Sequence, residues 1–289
     1  LEHEGHVVSV AVLAREGGLD ADLRAAIYEG QRVRGNMLPD VLTSQLRDEA
    51  AAEPVGYRVM RIATHHAARS SGLGSHLLDR CYAEFGDRVD WLGVGFGATP
   101  RLLDFWRANG YRTVHLSITS NDRSGEHSAL MLRPSSAAGR ELTERHVDRF
   151  RERIGATLCD ALADLDADIV RGALAAAGPP EVDGLEALDD RDWQAIAGVG
   201  YGPGTYEAAP HVFRTVALAY LLDPSGDLSA RQERLLVRKV LQGEPWESVA
   251  SGLDYTSTSQ CMREMGAIAR AICEAFGGDA AAAERERYS

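Results

Sequence analysis

Lysine is almost absent from this chain, whose basic residues are arginines with a single exception. Lys239 is the only lysine among 31 basic residues, and 43 acidic residues give a formal net charge of −12. An acid-rich, lysine-poor composition is typical of proteins from halophilic archaea, although a GC-rich genome also exchanges lysine for arginine. Salt at 1 M shortens the Debye length to about 3 Å. The acidic balance therefore does not exclude a nucleic-acid partner.

Long apolar runs and closely spaced cysteines are also missing. No run approaches the roughly 20 apolar residues that a membrane span requires, and the sequence shows no signal peptide. The four cysteines have neither C-x-x-C spacing nor another metal-site pattern. We therefore expect a cytoplasmic protein with reduced cysteines, no membrane association and no metal.

The most informative stretch covers residues 61–78 and reads RIATHHAARSSGLGSHLL. Its first residues predict the end of a strand, and the apolar spacing from Ser75 predicts a helix. The glycine-bearing loop between them directs several backbone N–H groups and the positive end of a helix dipole to one spot. That arrangement suits a pyrophosphate. By itself the pattern also fits an ordinary strand-to-helix turn.

The apolar pattern divides the 289-residue chain into two parts. Before residue 135, segments with the apolar pattern of a strand alternate with segments that have the pattern of a helix. From Ser135 onward the apolar spacing is helical throughout. We predict an α/β domain over residues 1–134 and an all-helical domain over 135–289. The predicted strands cover 6–14, 57–63, 90–95, 111–119 and 126–133, a turn covers 121–125, and the helices cover 20–29, 41–50, 75–85 and 101–108.

Two of these features together resemble the GNAT acetyltransferase superfamily. Arg69, Gly72 and Gly74 match its loop pattern Arg/Gln-x-x-Gly-x-Gly/Ala, and FWRANGY at 105–111 is similar to the helix end that borders the thiol arm of acetyl-CoA. Other blocks resemble the tRNA(Met) cytidine acetyltransferase family. They are RIATH at 61–65, WLGVGFGAT at 91–99, SGEHSALMLRP at 124–134 and YGPGTYEAAPHVFRTVALAYL at 201–221.

The resemblance implies a GNAT-type mixed sheet with flanking helices, followed by a helical tRNA-binding domain. Full-length members of the family carry a helicase-like ATPase module, whereas no G-x-x-x-x-G-K-[ST] motif is present here. The first strand and helices of a complete GNAT fold are expected to lie before Leu1, and His66 stands where the family commonly has proline. We therefore expect either the C-terminal portion of a family member or a relative that lacks the ATPase module. In both cases, activity would depend on ATP only if an ATPase module is supplied.

The activity implied by the resemblance is transfer of an acetyl group from acetyl-CoA to a cytidine 4-amino group in tRNA, or in rRNA. The amino lone pair is conjugated into the ring, so the site must remove a proton and stabilise the thioester oxyanion. His65 is the candidate base, because histidine titrates near neutral pH and the family has a functionally important histidine there. Glu126 and His127 are candidates to orient the base or the nucleobase. Tyr111 is either a donor to the leaving thiolate or a core aromatic.

The residues expected to bind acetyl-CoA lie at one strand end, in the following loop and on the later helix. Strand-edge backbone groups would pair with the pantetheine amides, as they pair with an extended peptide, and loop N–H groups would hold the pyrophosphate. The set is Ile62, Ala63, Thr64, Arg69, Ser70, Ser71, Gly72, Leu73, Gly74, Ser75, Arg101 and Asn109.

The candidate RNA-binding residues are basic or aromatic, since phosphates require cations and unpaired bases stack on aromatic rings. They are Arg145, Arg149, Tyr201, Tyr206, Arg238 and Lys239. The same residue types also suit salt-bridged helix surfaces and a helical core.

Two alternative functions stay open at the level of sequence. One is a GNAT enzyme that acetylates a protein or small-molecule amine, with the helical part as a partner-binding module. The other is a non-catalytic RNA-binding fragment, which would lack affinity for acetyl-CoA.

Overall fold

A computed structural model describes residues 1–121, 125–181, 184–224 and 227–289. The chain forms two compact units, Leu1–Phe150 and Arg151–Ser289. Their boundary lies inside a helix that begins at Ala137, later than the change of pattern at residue 135. The turn predicted over 121–125 falls mainly on residues 122–124, outside the described residues.

The first unit is a mixed α/β structure, as predicted. Its strands and helices are β1 (Glu2–His3), β2 (His6–Val7), β3 (Ser9–Glu16), α1 (Ala21–Tyr28), α2 (Met37–Asp40), β4 (Gly56–Thr64), α3 (Leu73–Phe85), β5 (Trp91–Gly97), α4 (Pro100–Ala108), β6 (Arg112–Ser120), β7 (His127–Pro134) and the first part of α5 (Ala137–Leu158). A π-helical turn, Val41–Gln45, continues α2.

The main sheet is five-stranded, in the order β3-β4-β5-β7-β6. Strands β4 and β5 are parallel, and their paired residues end at Val59 and Val94. Strand β5 nevertheless continues beside β7 as far as Gly97, and β4 continues beside β3 as far as Thr64. The two central strands therefore part beyond Val59 and Val94, and each leaves one backbone edge unpaired there.

A bulge in β4 lies at the point where the strands part. Val12 pairs with Arg61 and Leu13 with Val59, so Met60 has no partner in β3. An extra residue of this kind bends a strand and increases its twist. We therefore infer that the bulge turns the end of β4 away from β5.

Aromatic side chains fill the core between β5 and α4. Trp106 lies 4.8 Å from the Tyr111 ring and 6.1 Å from the Phe96 ring, measured between centroids. Tyr111 is 1% exposed, its hydroxyl has no hydrogen-bond partner among the residues that the structure describes, and burial raises its pKa. Tyr111 is thus a core aromatic in this structure, which does not support the thiolate-donor role.

The opposite face of β5 carries three glycines that admit close neighbours. A Cβ at Gly93 would lie 2.5 Å from Cδ1 of Leu38, and a Cβ at Gly95 would lie 2.5 Å from Cε of Met37. Strand residues two apart share a face, so α2 covers this face in register with the glycines. The spacing of glycines within WLGVGFG therefore reflects the close approach of α2.

A buried ionic cluster joins α5 to the segment before β4. His146 and Arg145 contact Oδ2 of Asp48 through Nε2 and Nε at 2.9 and 2.8 Å. Burial alone would raise the pKa of Asp48, but the hydrogen bonds from these two partners hold it well below its usual range. Burial lowers the pKa of His146, against the hydrogen bond to Asp48. This cluster explains why the first turns of α5 belong to the sheet unit.

The second unit is helical in its described residues. After α5 it contains α6 (Ala167–Ala177), α7 (Asp190–Tyr201), α8 (Pro210–Leu222), α9 (Ala230–Leu235), α10 (Trp246–Gly252), α11 (Thr258–Phe276) and α12 (Asp279–Arg287), and a π-helical turn, Leu236–Leu241, follows α9. Within the described part of the chain, no helix is long and apolar enough to cross a membrane.

We predict that His146 makes the stability of the chain depend on pH. Folding lowers the pKa of His146, so as pH falls the unfolded state takes up a proton at a higher pH than the folded state. The free energy of unfolding is therefore full above the unfolded pKa of roughly 6.5 and decreases as pH falls below it. His146→Gln keeps a side-chain donor for Asp48 but cannot titrate. Between pH 7.5 and 5.5, urea unfolding at constant salt should show a shallower pH slope in the variant, by at most ~1.4 kcal/mol per pH unit. Parallel slopes would contradict this role.

Candidate functional site

A cavity of about 610 Å³ lies at the end of β4, where β4 and β5 part. Its walls are the strand end, the loop after it, the first turn of α3 and the start of α4. The lining residues are Ile62, Ala63, Thr64, Ala68, Arg69, Ser70, Gly72, Leu73, Gly74, Ser75, Arg101, Leu102 and Phe105. The structure therefore brings together most of the residues that were predicted to bind the cofactor.

The unpaired edge of β4 offers hydrogen-bonding groups to this cavity. The backbone N–H of His65 donates to the Val8 carbonyl at 2.8 Å, and Ser9 Oγ donates to the Ala63 carbonyl at 3.2 Å. Residues 63 and 65 thus direct their backbone groups toward β3. By alternation, those of Ile62 and Thr64 face the gap, which suits an extended chain with amide groups.

The N-terminus of α3 supplies a second kind of contact. Gly72 precedes the helix with φ of 82°, a left-handed conformation that favours glycine. The first turn closes with a bond of 2.9 Å from His76 N to the Gly72 carbonyl. The N–H groups of Leu73, Gly74 and Ser75 consequently have no partner inside the helix. Together with the helix dipole they form a site for an anion.

The charge of the lining is positive although the whole chain is strongly acidic. Arg69 and Arg101 line the cavity, and none of its described lining residues carries a carboxylate. Arg69 is exposed and donates from Nε to the Thr64 carbonyl at 3.4 Å. A cavity lined by one sign of charge concentrates ligands of the opposite sign. The cavity is therefore suited to a phosphate-bearing ligand.

Two predicted cofactor residues lie outside the lining and need correction. Ser71 Oγ donates to the Ala68 carbonyl at 2.6 Å and holds the loop. Asn109 is buried, and its Nδ2 donates to the Phe105 carbonyl at 2.7 Å at the end of α4. Both side chains stabilise neighbouring backbone, so we assign them supporting roles. Ala63 lines the cavity, but its carbonyl is directed toward β3.

His65 lies exposed at the end of β4, next to the cavity. Its Nδ1 accepts a hydrogen bond from the Ala67 N–H at 3.3 Å, and its ring lies 4.3 Å from that of His66. A neutral imidazole whose Nδ1 accepts carries its proton on Nε2. In this arrangement His65 offers an N–H donor at Nε2. To act as the base predicted from the sequence, its Nδ1 would have to lose the hydrogen bond from the Ala67 N–H.

Glu126 and His127 lie on opposite faces of the sheet, because strand side chains alternate. A Cβ at Gly97 would overlap Oε2 of Glu126, so this carboxylate covers the last glycine of β5 on the α2 face. His127 Nδ1 lies 2.8 Å from the Ser117 carbonyl, to which it must donate. The unprotonated nitrogen of neutral His127 is then Nε2. The two candidates therefore do not act on one atom from the same side.

The predicted RNA-binding arginines form ion pairs within the chain. Arg145 and Arg149 both approach Oδ2 of Asp48, at 2.8 and 3.7 Å. Arg238 makes two hydrogen bonds of 2.7 Å to the carboxylate of Glu244. Arg238 is thereby neutralised one to one, whereas Arg145 and Arg149 share a single carboxylate. These ion pairs give each arginine a partner within the chain, and a role in RNA binding stays a prediction for all three.

The three remaining RNA-binding candidates lie at or near one cavity of the second unit. Tyr201 and Tyr206 line a cavity of about 480 Å³. Lys239 donates from Nζ to the Glu244 carbonyl at 2.9 Å and lies 4.8 Å from the centroid of the Trp246 ring. The same cavity is also lined by Trp246, Arg263 and Arg270, which no sequence pattern predicted as site residues. In the described residues, no group of three or more His, Cys, Asp or Glu side chains could hold a metal ion.

Comparison with known proteins gives two results. The family model for GNAT acetyltransferase 2 matches residues 4–85 and 76–136. The chain is also similar over 100% of its length to proteins named tRNA(Met) cytidine acetyltransferase TmcA, and it spans about 38% of the length of these curated relatives. It is 59% identical to the protein of Haloferax volcanii (38% of that protein), 50% to that of Haloarcula marismortui (37%) and 34% to that of Nitrosococcus halophilus (39%).

These similarities bear on two predictions. The matched family model confirms that the first unit contains a GNAT acetyltransferase domain. The relatives from Haloferax and Haloarcula support the halophilic interpretation of the acidic, lysine-poor composition.

We predict that Arg69→Ala weakens the binding of acetyl-CoA, because a charged donor at the cavity wall is lost. A hydrogen bond to a charged group contributes about 1.5–3 kcal/mol, so the dissociation constant should rise about tenfold or more. Calorimetry at constant salt measures this. Arg80→Ala is the matched control, since Arg80 is an exposed arginine of α3 outside the lining. Equal affinities for both variants would remove Arg69 from the site.

Proposed function

We propose that this chain, which is similar over its whole length to tRNA(Met) cytidine acetyltransferases, is part of that family and catalyses acetyl transfer to RNA. The proposed reaction moves an acetyl group from acetyl-CoA to the 4-amino group of a cytidine in tRNA and yields N4-acetylcytidine. The observation that carries the proposal is the cavity at the end of β4, which combines an open strand edge, a helix N-terminus and two arginines among its described lining residues.

The residues of the cavity fit the two polar parts of acetyl-CoA. The N–H groups of Leu73, Gly74 and Ser75 and the guanidinium of Arg69 would hold the pyrophosphate. Backbone groups of Ile62 and Thr64 would bind the pantetheine amides, as a strand edge binds a peptide. Bound in this way, acetyl-CoA supplies the activated acetyl group as a thioester at the gap between β4 and β5.

The acceptor would approach from the face of β5 that carries α2. Glu126 lies on this face, over Gly97 at the unpaired end of the strand. As the amino nitrogen bonds to the acetyl carbon and the carbon–sulfur bond breaks, one proton must leave the nitrogen. We assign its removal to Glu126. His65, with Nε2–H exposed, would donate to the developing oxyanion or to the leaving sulfur.

The remaining parts of the proposal concern partners. The tRNA acceptor implies a reaction in the cytoplasm, and rRNA is a second acceptor to be tested. A requirement for ATP would come from an ATPase module. An amine of a protein or small molecule is the competing acceptor, and the sequence similarity to named cytidine acetyltransferases favours RNA.

The proposed reaction predicts a product that mass spectrometry detects directly. The chain is incubated with acetyl-CoA and unmodified tRNA or rRNA in high salt, with and without ATP, and the RNA is digested to nucleosides. N4-acetylcytidine should form and should require acetyl-CoA. Parallel reactions with an amine-bearing peptide and with spermidine test the competing acceptors. Acetylation of these amines without any acetylcytidine would contradict the proposal.

The assignment of His65 as a donor predicts a graded response to substitution. Glutamine can donate from its amide but is no base, so His65→Gln should retain more acetyl transfer than His65→Ala, by about tenfold. Both variants should bind acetyl-CoA normally in calorimetry. Equal loss of transfer in both would support the base role instead.

The assignment of Glu126 predicts that Glu126→Gln lowers the transfer rate about a hundredfold or more, because an amide cannot accept the proton. Affinity for acetyl-CoA should be unchanged, and single-turnover acetylation measures the rate. His127→Gln is the matched control, and a larger loss in that variant would exchange the two roles.

A further inference from the structure

The second unit contains a cavity whose lining includes none of the residues assigned above to acetyl transfer. Its volume is about 480 Å³, within the range of pockets that bind small ligands. The end of α7 and the glycine-rich turn after it form one wall, and α10 and α11 form the other. The close approach of α7 and α11 is visible at Gly266, where a Cβ would lie 3.2 Å from the Val199 carbonyl.

Aromatic residues provide flat surfaces around this cavity. Tyr201, Tyr206 and Trp246 all line it. The rings of Tyr206 and Trp246 meet edge to face, with 5.9 Å between centroids and 85° between planes. Trp246 is held by a hydrogen bond of 2.7 Å from Nε1 to Glu207. The rings are thus fixed before a ligand arrives, and fixed aromatic faces suit a planar ligand.

Two arginines line the cavity although the second unit is rich in acidic residues. Arg263 and Arg270 line it, and among its described lining residues Glu207 alone carries a carboxylate. Nη1 of Arg270 donates to the Gly200 carbonyl at 2.6 Å. Within the described ranges Arg263 has no carboxylate partner, and its side chain is exposed. An unneutralised guanidinium beside aromatic rings suits a phosphate attached to an aromatic base.

We infer that this cavity binds one unpaired nucleotide, with the base against the aromatic residues and the phosphate at Arg263. The inference rests on the proposed function, which makes RNA the acceptor, and it adds a base-binding site in the helical unit. The nucleotide has two sources, an unpaired position of the RNA or a free mononucleotide. Backbone carbonyls and the carboxylate of Glu207 are acceptors available to the base edge.

The experiment uses the 289-residue chain and four substitutions at exposed or partly exposed positions. Arg263→Ala removes the proposed phosphate contact, and Arg191→Ala is its matched control, an exposed arginine outside the lining. Tyr201→Leu removes an aromatic face, whereas Tyr201→Phe keeps it. Filter binding of unmodified tRNA across a salt series is measured, together with calorimetry of AMP, CMP and acetyl-CoA. Circular dichroism checks folding of each variant.

The inference predicts a pattern among the variants. Arg263→Ala should weaken tRNA binding about tenfold and reduce the salt slope by about one. Tyr201→Leu should weaken binding about tenfold with the slope unchanged, and both controls should bind as the unsubstituted chain does. The same losses for AMP or CMP, with tRNA binding intact, would identify the free nucleotide as the source.

Failure of the inference and failure of the proposed function give different results. If Arg263→Ala and Tyr201→Leu bind tRNA and mononucleotides as tightly as their controls, the cavity is not a nucleotide site, even where acetylcytidine forms. If no acetylcytidine forms, the proposed function fails, and the mononucleotide titrations still test the cavity.

Discussion

The parting of two parallel strands is the constraint on which the first unit depends. Strands β4 and β5 pair only as far as Val59 and Val94, although each continues beside its other neighbour beyond that point. Unpaired backbone groups at a strand edge need partners. An extended ligand with its own amides satisfies them, and the N-terminus of α3 lies beside them to hold an anion. The proposed cofactor site thus lies where the two strands are no longer hydrogen-bonded to each other.

The two faces of β5 explain how one gap can serve two substrates. Phe96 and Trp106 fill the face below α4, whereas glycines at alternate positions bring Met37, Leu38 and Glu126 close to the other face. Beyond α2, at the Gly97 end of β5, the carboxylate of Glu126 lies on this second face, and there we place the acceptor. Electrostatics agrees with this division, since the cavity lining is cationic and the proposed proton acceptor lies outside it.

Much of this arrangement could be predicted from the sequence, and the failures have physical causes. The loop around Gly72 was predictable because a left-handed glycine before a helix has a local sequence signature. The donor geometry of His65 depends on which nitrogen the Ala67 N–H meets, which no spacing reveals. Whether Arg145 and Arg238 are free or ion-paired stayed open in the sequence, because their partners, Asp48 and Glu244, are identified only by folding. The cavity lined by Trp246 and Arg263 joins residues from separate helices and left no motif to find.

The most direct test of the account is amide hydrogen exchange of the chain with and without acetyl-CoA, at constant high salt. The account predicts slower exchange of peptides covering Ile62–Thr64 and Leu73–Ser75 when acetyl-CoA is present, with no change in β6. Protection confined to other segments, or no protection under conditions where calorimetry shows binding, would contradict a cofactor site at the parted strands.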